Sequence, residues 1–246
     1  MPRSLCGAAA LPGRIGTRVT VPAHLQIAID GPAAAGKSTV ARATARRLDV
    51  LYLDTGAMYR ALALMALRTG TEVDNGIALA RLMAASPIEV ELDDSAQLGF
   101  RISAGGRDFD ESMLLGNDVT AIVSAVSAQR EVRTEMVNAQ RRVARKGPVV
   151  MAGRDIGTVV LPDAPVKIYL TASLPARVER RRAQLAAAGI EVDAQTLEAE
   201  IEERDRLDRT RAISPLAPAP DAHVIDSSEI DARRVVEEIC AIVESQ

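Results

Sequence analysis

Residues 25–48 join an apolar run, LQIAID, to a glycine-bounded octet, GPAAAGKS, and then to a stretch whose apolar residues recur at helical spacing. No other feature constrains the fold as tightly. Leu25–Asp30 reads as a buried strand entering a tight loop at Gly31-Pro32. Lys37–Leu48 reads as a helix with Val40, Ala41, Thr44 and Leu48 along one side. The octet fills every fixed position of G-x-x-x-x-G-K-[ST], and the strand before it and helix after it are the context that pattern requires. The segment Gly31, Pro32, Ala33, Ala34, Ala35, Gly36, Lys37, Ser38 and Thr39 can then curl backbone N–H groups around a phosphate, backed by the positive end of the helix. Lys37 would reach the β- and γ-phosphates and Ser38 would ligate Mg²⁺. The motif implies a bound nucleoside triphosphate.

The rest of the chain extends the same architecture. Leu51–Asp54 reads as a second strand, and Met58–Arg68 as a helix stopped by Gly70. Between residues 86 and 110 the texture changes: IEVEL and FRIS alternate apolar and polar residues, and Gly105-Gly106 marks a hairpin turn, so a small antiparallel insert with one wet face is expected. Asn117–Arg145 reads as helix, and Val149–Met151 and Val166–Leu170 as buried parallel strands. Pro175–Ala188 and Gln195–Arg209 are charged helices, His223–Asp226 a last strand, and Asp231–Ser245 an amphipathic helix capped by Asp231. Strands alternating with helices predict an α/β fold, a parallel sheet covered by helices on both faces.

Composition removes several classes of function. A net charge of −3, 2% aromatic residues and no tryptophan supply neither a basic stripe nor stacking platforms, so no nucleic-acid partner is expected. No apolar run is long enough to cross a bilayer, the most apolar helical stretch, Val119–Ala128, being interrupted by Ser124 and Ser127. Cys6 and Cys240 stand far apart in the chain and read as reduced thiols of a cytoplasmic protein. Residues 1–24 carry Arg3, Arg14 and Arg18 without an acid, and Pro12, Gly13, Gly16 and Pro22 break any long helix, so a disordered extension is expected ahead of a domain over 25–246. A GTPase would need N-K-x-D and D-x-x-G; neither occurs.

Three segments follow the phosphate loop in order: LDTGAMYR (53–60), GRDIGTVVLPDAPVKIYLTAS (153–173) and RDRLDRTRAISPL (204–216). With the loop, they resemble bacterial cytidylate kinases, the CMP/dCMP kinases of pyrimidine nucleotide metabolism, from Leu25 to the end of the chain. The resemblance implies a P-loop nucleoside-monophosphate-kinase fold. The insert would sit within a monophosphate-binding region at about 55–125, and a helical, arginine-rich lid would span about 177–213. It further implies phosphoryl transfer from ATP, with Mg²⁺, to CMP and dCMP. Lys37, Arg154, Arg204 and Arg211 would be catalytic. Arg60, Arg154 and Arg211 would hold the acceptor phosphate, Thr55 and Tyr59 would line its site, Asp208 would meet the ribose, and Ser124, Arg133 and Asp155 would read cytosine.

These roles make physical sense. Guanidinium forks onto phosphate oxygens and stays charged. Asp155 can accept from the cytosine 4-amino group, whereas uracil would set two acceptors face to face. Ser124 and Arg133 are nine residues apart, about two and a half helical turns, so both can face a base only if the helix breaks near Ala128–Arg130. In ERDRLDRTR, Arg204–Asp208 and Asp205–Arg209 stand at i,i+4, and Arg204, Asp208 and Arg211 share one face. Arg177, Arg180 and Arg181 are expected toward the donor.

Two positions depart from the resembled family. Ala152 stands where a carboxylate usually precedes GRD, and Leu114-Leu115 where an Ile-Arg pair is usual. The alternatives to a (d)CMP kinase are a kinase of another small acceptor (UMP, dTMP or shikimate) and a silent nucleotide-binding regulator. A monomer is expected, since lid and acceptor region must move.

Overall fold

The computed structural model describes residues 22–93, 99–187 and 189–246, so residues 1–21 of the expected extension lie outside the described residues. In chain order the first half comprises β1 (Gln26–Asp30), α1 (Lys37–Leu48), β2 (Leu51–Asp54), α2 (Thr55–Thr69), α3 (Gly76–Ala85), β3 (Ile88–Leu92), β4 (Phe100–Ala104) and β5 (Arg107–Asp108). After these come α4 (Glu111–Leu114), α5 (Asn117–Ala128), α6 (Arg130–Ala144), β6 (Val149–Gly153), a π-helical turn (Ile156–Val160), and β7 (Val166–Thr171). The chain closes with α7 (Leu174–Ala187), α8 (Ala194–Thr210), β8 (His223–Asp226) and α9 (Ala232–Glu244).

The main sheet is parallel throughout, with strands in the order β2-β6-β1-β7-β8. Successive residues of a strand face opposite sides of a sheet, so the near-complete burial of Ile27, Ala28 and Ile29 and of Val149–Ala152 means that both faces are covered. Helix α1 packs on α9, α2 on α5, and α3 on α6. Asp54 caps α2 by accepting from the Gly56 N–H at 3.0 Å, and Gly70 ends it at φ 66°. Asn75 caps α3, an element with no counterpart in the sequence reading, through the Ala78 N–H at 3.0 Å. Asp231 caps α9 through the Arg234 N–H, as expected.

Residues 117–145 do not form one helix. The chain is extended at Gln129 (φ −69°, ψ 129°), so α5 ends at Ala128 and α6 starts at Arg130, inside the span where a break was required.

The antiparallel insert is also present, as the three-stranded sheet β3-β4-β5 turned at Gly105-Gly106. It buries Ile88, Val90, Phe100 and Ile102, while Glu89, Glu91 and Arg101 face outward. Phe100 meets Tyr52 of β2 edge-on at 5.7 Å between ring centroids, which fastens the insert to the main core. Phe100→Ala should therefore lower unfolding free energy by about 3–5 kcal/mol in urea titration. Leu115→Ala, at a side 53% exposed, should stay within about 0.5 kcal/mol of the parent.

Helices α7 and α8 share a small apolar cluster of their own, in which Val178, Leu197 and Ile201 close on Ala33 of the phosphate loop.

Candidate active site

The functional side chains gather at the carboxyl ends of the parallel strands, where ligands bind in open α/β sheets. The loop from Gly31 to Ser38 leaves β1 between the ends of β6 and β7. Gly31 has no alternative: a Cβ there would stand 1.9 Å from the Leu170 carbonyl oxygen. Gly36, at φ 91°, turns the chain into α1. Lys37 Nζ lies back along the loop and donates to the Pro32 carbonyl at 2.6 Å. Burial, then repulsion from Arg154, holds its pKa well below the usual lysine range, with Asp54 opposing.

Ser38 Oγ donates to Asp54 Oδ2 at 2.6 Å, while Asp54 Oδ1 caps α2. One carboxylate thus ties the phosphate loop to the helix carrying Thr55, Tyr59 and Arg60. Asp54 pairs in register with Ala152 on the neighbouring strand. A carboxylate thus stands one strand away from Ala152, at a residue not singled out from the sequence. Its position just before Thr55 at a strand's carboxyl end is the signal that could have found it.

The residues expected at the acceptor come from several elements. Thr55 Oγ1 donates to the Ala152 carbonyl at 2.9 Å. Tyr59 is buried, its phenol pushed up to about 12 by that burial, and the Arg133 guanidinium lies over its ring at 5.7 Å. Arg60 reaches the Leu114 carbonyl at 3.2 Å and Thr120 Oγ1 at 2.9 Å. Leu114 thus contributes its backbone, while Leu115 is exposed. Arg133 Nη2 pairs with Asp155 Oδ2 in a nearly solvent-free contact, and Arg133 Nη1 donates to the Ser127 carbonyl at 3.0 Å. The partners of Asp155 are therefore Arg133 across the site and, at 4.0 Å, Arg211 Nη2, not its neighbour Arg154. Ser124 is exposed on α5, where its backbone carbonyl accepts from Ser127 Oγ at 3.0 Å. The structure brings Arg133 and Asp155 together and leaves the Ser124 hydroxyl apart from them.

The charged helix α8 distributes its residues differently from the i,i+4 pairs expected of a solvated surface. Asp208 accepts from Arg154 Nε at 2.6 Å and from Arg211 Nη1 at 3.4 Å, rather than pairing with Arg204. Against the pull of its own burial, Arg154, Arg211 and Arg204 hold the Asp208 carboxyl below the usual range. Asp205, expected to pair with Arg209, is instead buried: it accepts from the Ala33 N–H at 2.9 Å and from Arg177 Nη1 at 2.5 Å. Arg177 also donates to the Ala33 carbonyl, so it serves the structure of the loop rather than a ligand. Arg180 turns to Ser227.

Arg204 makes no hydrogen bond or ion pair among the described residues. Its pKa is drawn down to about 10, first by desolvation among the neighbouring guanidinium groups, although the residue as a whole is exposed, and then by Arg154, with Asp208 opposing and Arg60 and Arg181 adding to the repulsion. Arg60 and Arg211 are lowered too, chiefly by burial. Two buried donors of the site, Arg133 Nε and Arg211 Nη2, have no hydrogen-bond partner among the described residues, although Arg211 Nη2 stands 4.0 Å from Asp155 Oδ1. Mutually repelling cations and unused donors are what a site for polyanions presents, since phosphate oxygens would relieve both.

Residues 27–245 match the family described as cytidylate kinase. A cytidylate kinase of Pelotomaculum thermopropionicum is 49% identical over 217 residues, covering 88% of this chain and 95% of that one. One of Exiguobacterium sibiricum is 44% identical over 220 residues, covering 89% and 97%. A solved structure, an uncharacterized protein from Eubacterium ventriosum, matches at a TM-score of 0.52 and 14% identity over 91% of this chain and 99% of its own, a likeness of fold alone. With the family match spanning nearly all of the described chain and the site assembled at the strand ends, the protein belongs to the cytidylate kinase family.

Proposed function

We propose that the chain transfers the γ-phosphoryl group of ATP to CMP and dCMP, giving ADP and CDP or dCDP. The observation that carries the reading is the buried Arg133–Asp155 pair, with Arg211 Nη2 4.0 Å from the other Asp155 oxygen and Arg133 Nε without a hydrogen-bond partner among the described residues. An Asp155 carboxylate there matches the cytosine amino group, and a uracil carbonyl would leave two acceptors unpaired at a cost of several kcal/mol.

The acceptor's phosphate oxygen attacks the γ-phosphorus in line, so no covalent enzyme intermediate is needed. Lys37 swings from the Pro32 carbonyl to the phosphates, and the loop N–H groups hold the donor. Arg60, Arg154 and Arg211 hold the acceptor phosphate, and Arg204, without a partner among the described residues, stabilises charge on the transferring group. Thr55 and Tyr59 line the acceptor site, Asp208 stands by the ribose, and Ser124 would reach the base only through a movement of α5. The hard oxygen donors Ser38 and Asp54 suit Mg²⁺, which when bound neutralises charge on the phosphates.

The catalytic core would carry a monophosphate-binding region over about 55–125 and a lid over about 177–213. Helices α7 and α8, anchored to the loop through Asp205 and Arg177, would close over both nucleotides and exclude water. No helix among the described residues is long and apolar enough to cross a membrane; a cytoplasmic monomer without a nucleic-acid partner fits the reading.

The test is a coupled ADP-release assay with ATP and CMP, dCMP, UMP, dTMP or shikimate, run on the parent and on Asp155→Ala. Turnover should be confined largely to CMP and dCMP, and kcat/KM for CMP should fall by at least about 10²-fold in the variant. Equal turnover of UMP would sink the cytosine reading; ATP binding without turnover on any acceptor would leave a silent regulator.

A further inference from the structure

Asp30 is the last residue of β1, flanked in register by Gly153 of β6 and Tyr169 of β7, and is 3% exposed. Its two oxygens have separate tasks. Oδ1 accepts the Ile156 N–H and Oδ2 the Gly157 N–H, both at 2.8 Å. Those amides open the π-helical turn that follows Arg154 and Asp155. Arg154 and Asp155 are thus the only residues between two fixed points, the strand pairing at Gly153 and the grip of Asp30. On its other side Asp30 is joined directly to Gly31, the start of the phosphate loop.

We propose that Asp30 is a positioning residue for acceptor specificity: its carboxylate sets where Arg154 and Asp155 stand relative to the phosphate loop. The inference rests on the (d)CMP kinase reading.

A buried carboxylate is costly unless hydrogen-bonded. Here a carboxylate is also the group suited to the task, because two adjacent N–H groups need two acceptor oxygens. An asparagine of the same shape would turn an NH₂ against one of them. The side chains read from this loop diverge, Arg154 to Asp208 on α8 and Asp155 to Arg133 on α6. A small rotation of the turn would therefore misplace both, and a misplacement of about 1 Å can cost about 10²-fold in rate.

The surroundings make the grip sensitive to pH. Burial raises the Asp30 carboxyl to about 6; the two N–H bonds oppose this, Asp155 adds to it, and Lys37 counters. On β7, Tyr169 faces it as a neutral phenol raised by its own burial, and Lys167 lays its methylenes beside Gly157 while its Nζ pairs with Asp221. Arg154 stands on the gripped loop itself. Protonation removes one of the two acceptors from the amide pair.

The experiment measures kcat and KM for CMP, UMP and ATP in the parent and in Asp30→Asn, with Mg-ATP binding by calorimetry and thermal melts alongside. In Asp30→Asn the preference for CMP over UMP should fall by about tenfold or more, with ATP affinity within about twofold of the parent. Equal proportional losses for CMP and UMP, or a loss centred on ATP, would overturn the inference and leave Asp30 a scaffold residue. Should the variant not fold, the parent decides. Its CMP-over-UMP ratio should drop between about pH 7.5 and about pH 5.5, because the acceptor phosphates titrate alike and cancel from the ratio. A ratio constant over that range would overturn the inference. A parent with no turnover of CMP at any pH would instead sink the reading on which it rests.

Discussion

Replacing Lys37 with methionine is expected to lower kcat by about 10³-fold while leaving the fold intact. The side chain is 8% exposed and runs inside the loop to the Pro32 carbonyl, so a methionine of similar length fills its space. What disappears is a cation that can leave a carbonyl for the transferring phosphoryl group. Stability should move the other way. Burial and Arg154 lower the pKa of Lys37 in the folded state, so the charged form is penalised by folding, and removing it at neutral pH should hold or raise the melting temperature. Saturating kinetics with ATP and CMP, together with a thermal melt, separate the two effects. A kcat within tenfold of the parent would remove Lys37 from the chemistry.

The second large effect is expected at Arg154. Its Nε is held by Asp208 at 2.6 Å, and it repels both Lys37 and Arg204, so it stands where the donor loop, the acceptor loop and α8 converge. Arg154→Ala should lower kcat/KM for CMP by about 10²–10³-fold, with much of the loss in kcat, since the cation is needed most when charge develops on the transferring group. Arg154→Lys should recover only a part, because a single ammonium cannot both meet Asp208 and fork onto a phosphate. The variant also frees the Asp208 carboxylate, which remains next to Arg211 and Arg204, so the melting temperature should change little. Full activity in Arg154→Ala would leave Arg154 as a partner of Asp208 alone.

Much of the fold was legible because its signals are local. The strand–loop–helix around Gly31–Ser38 is fixed by an apolar run, two glycines and a helical period, all within twenty-four residues. The antiparallel insert announced itself through alternation and Gly105-Gly106. Even the break at Gln129 could be required in advance, from the angle between Ser124 and Arg133 on a straight helix. Helix α3 was missed because its ten residues are short and evenly apolar, with a capping signal carried by Asn75 alone.

The site divided along the same line. The sequence alone determined which residue types are present and in what order: a loop for phosphates, a set of arginines, and carboxylates beside them. It also put Arg204 and Asp208 on one helix face, since helical period is a property of the chain; Arg211, expected on that face, instead stands just past the end of α8 with an extended backbone (φ −62°, ψ 139°). Only the tertiary structure decided who pairs with whom. Asp205 and Asp208 each had an arginine four residues away, yet one closes on Arg177 and the Ala33 N–H and the other on Arg154 and Arg211. The reason is burial. An exposed i,i+4 pair gains a few tenths of a kcal/mol, whereas a carboxylate taken out of water must find charge-assisted partners wherever the packing brings them, however far along the chain. Asp54 and Asp30 belong to that second class: their partners come from Ser38 and from residues 156–157, brought together only when strands distant in sequence lie side by side in one sheet.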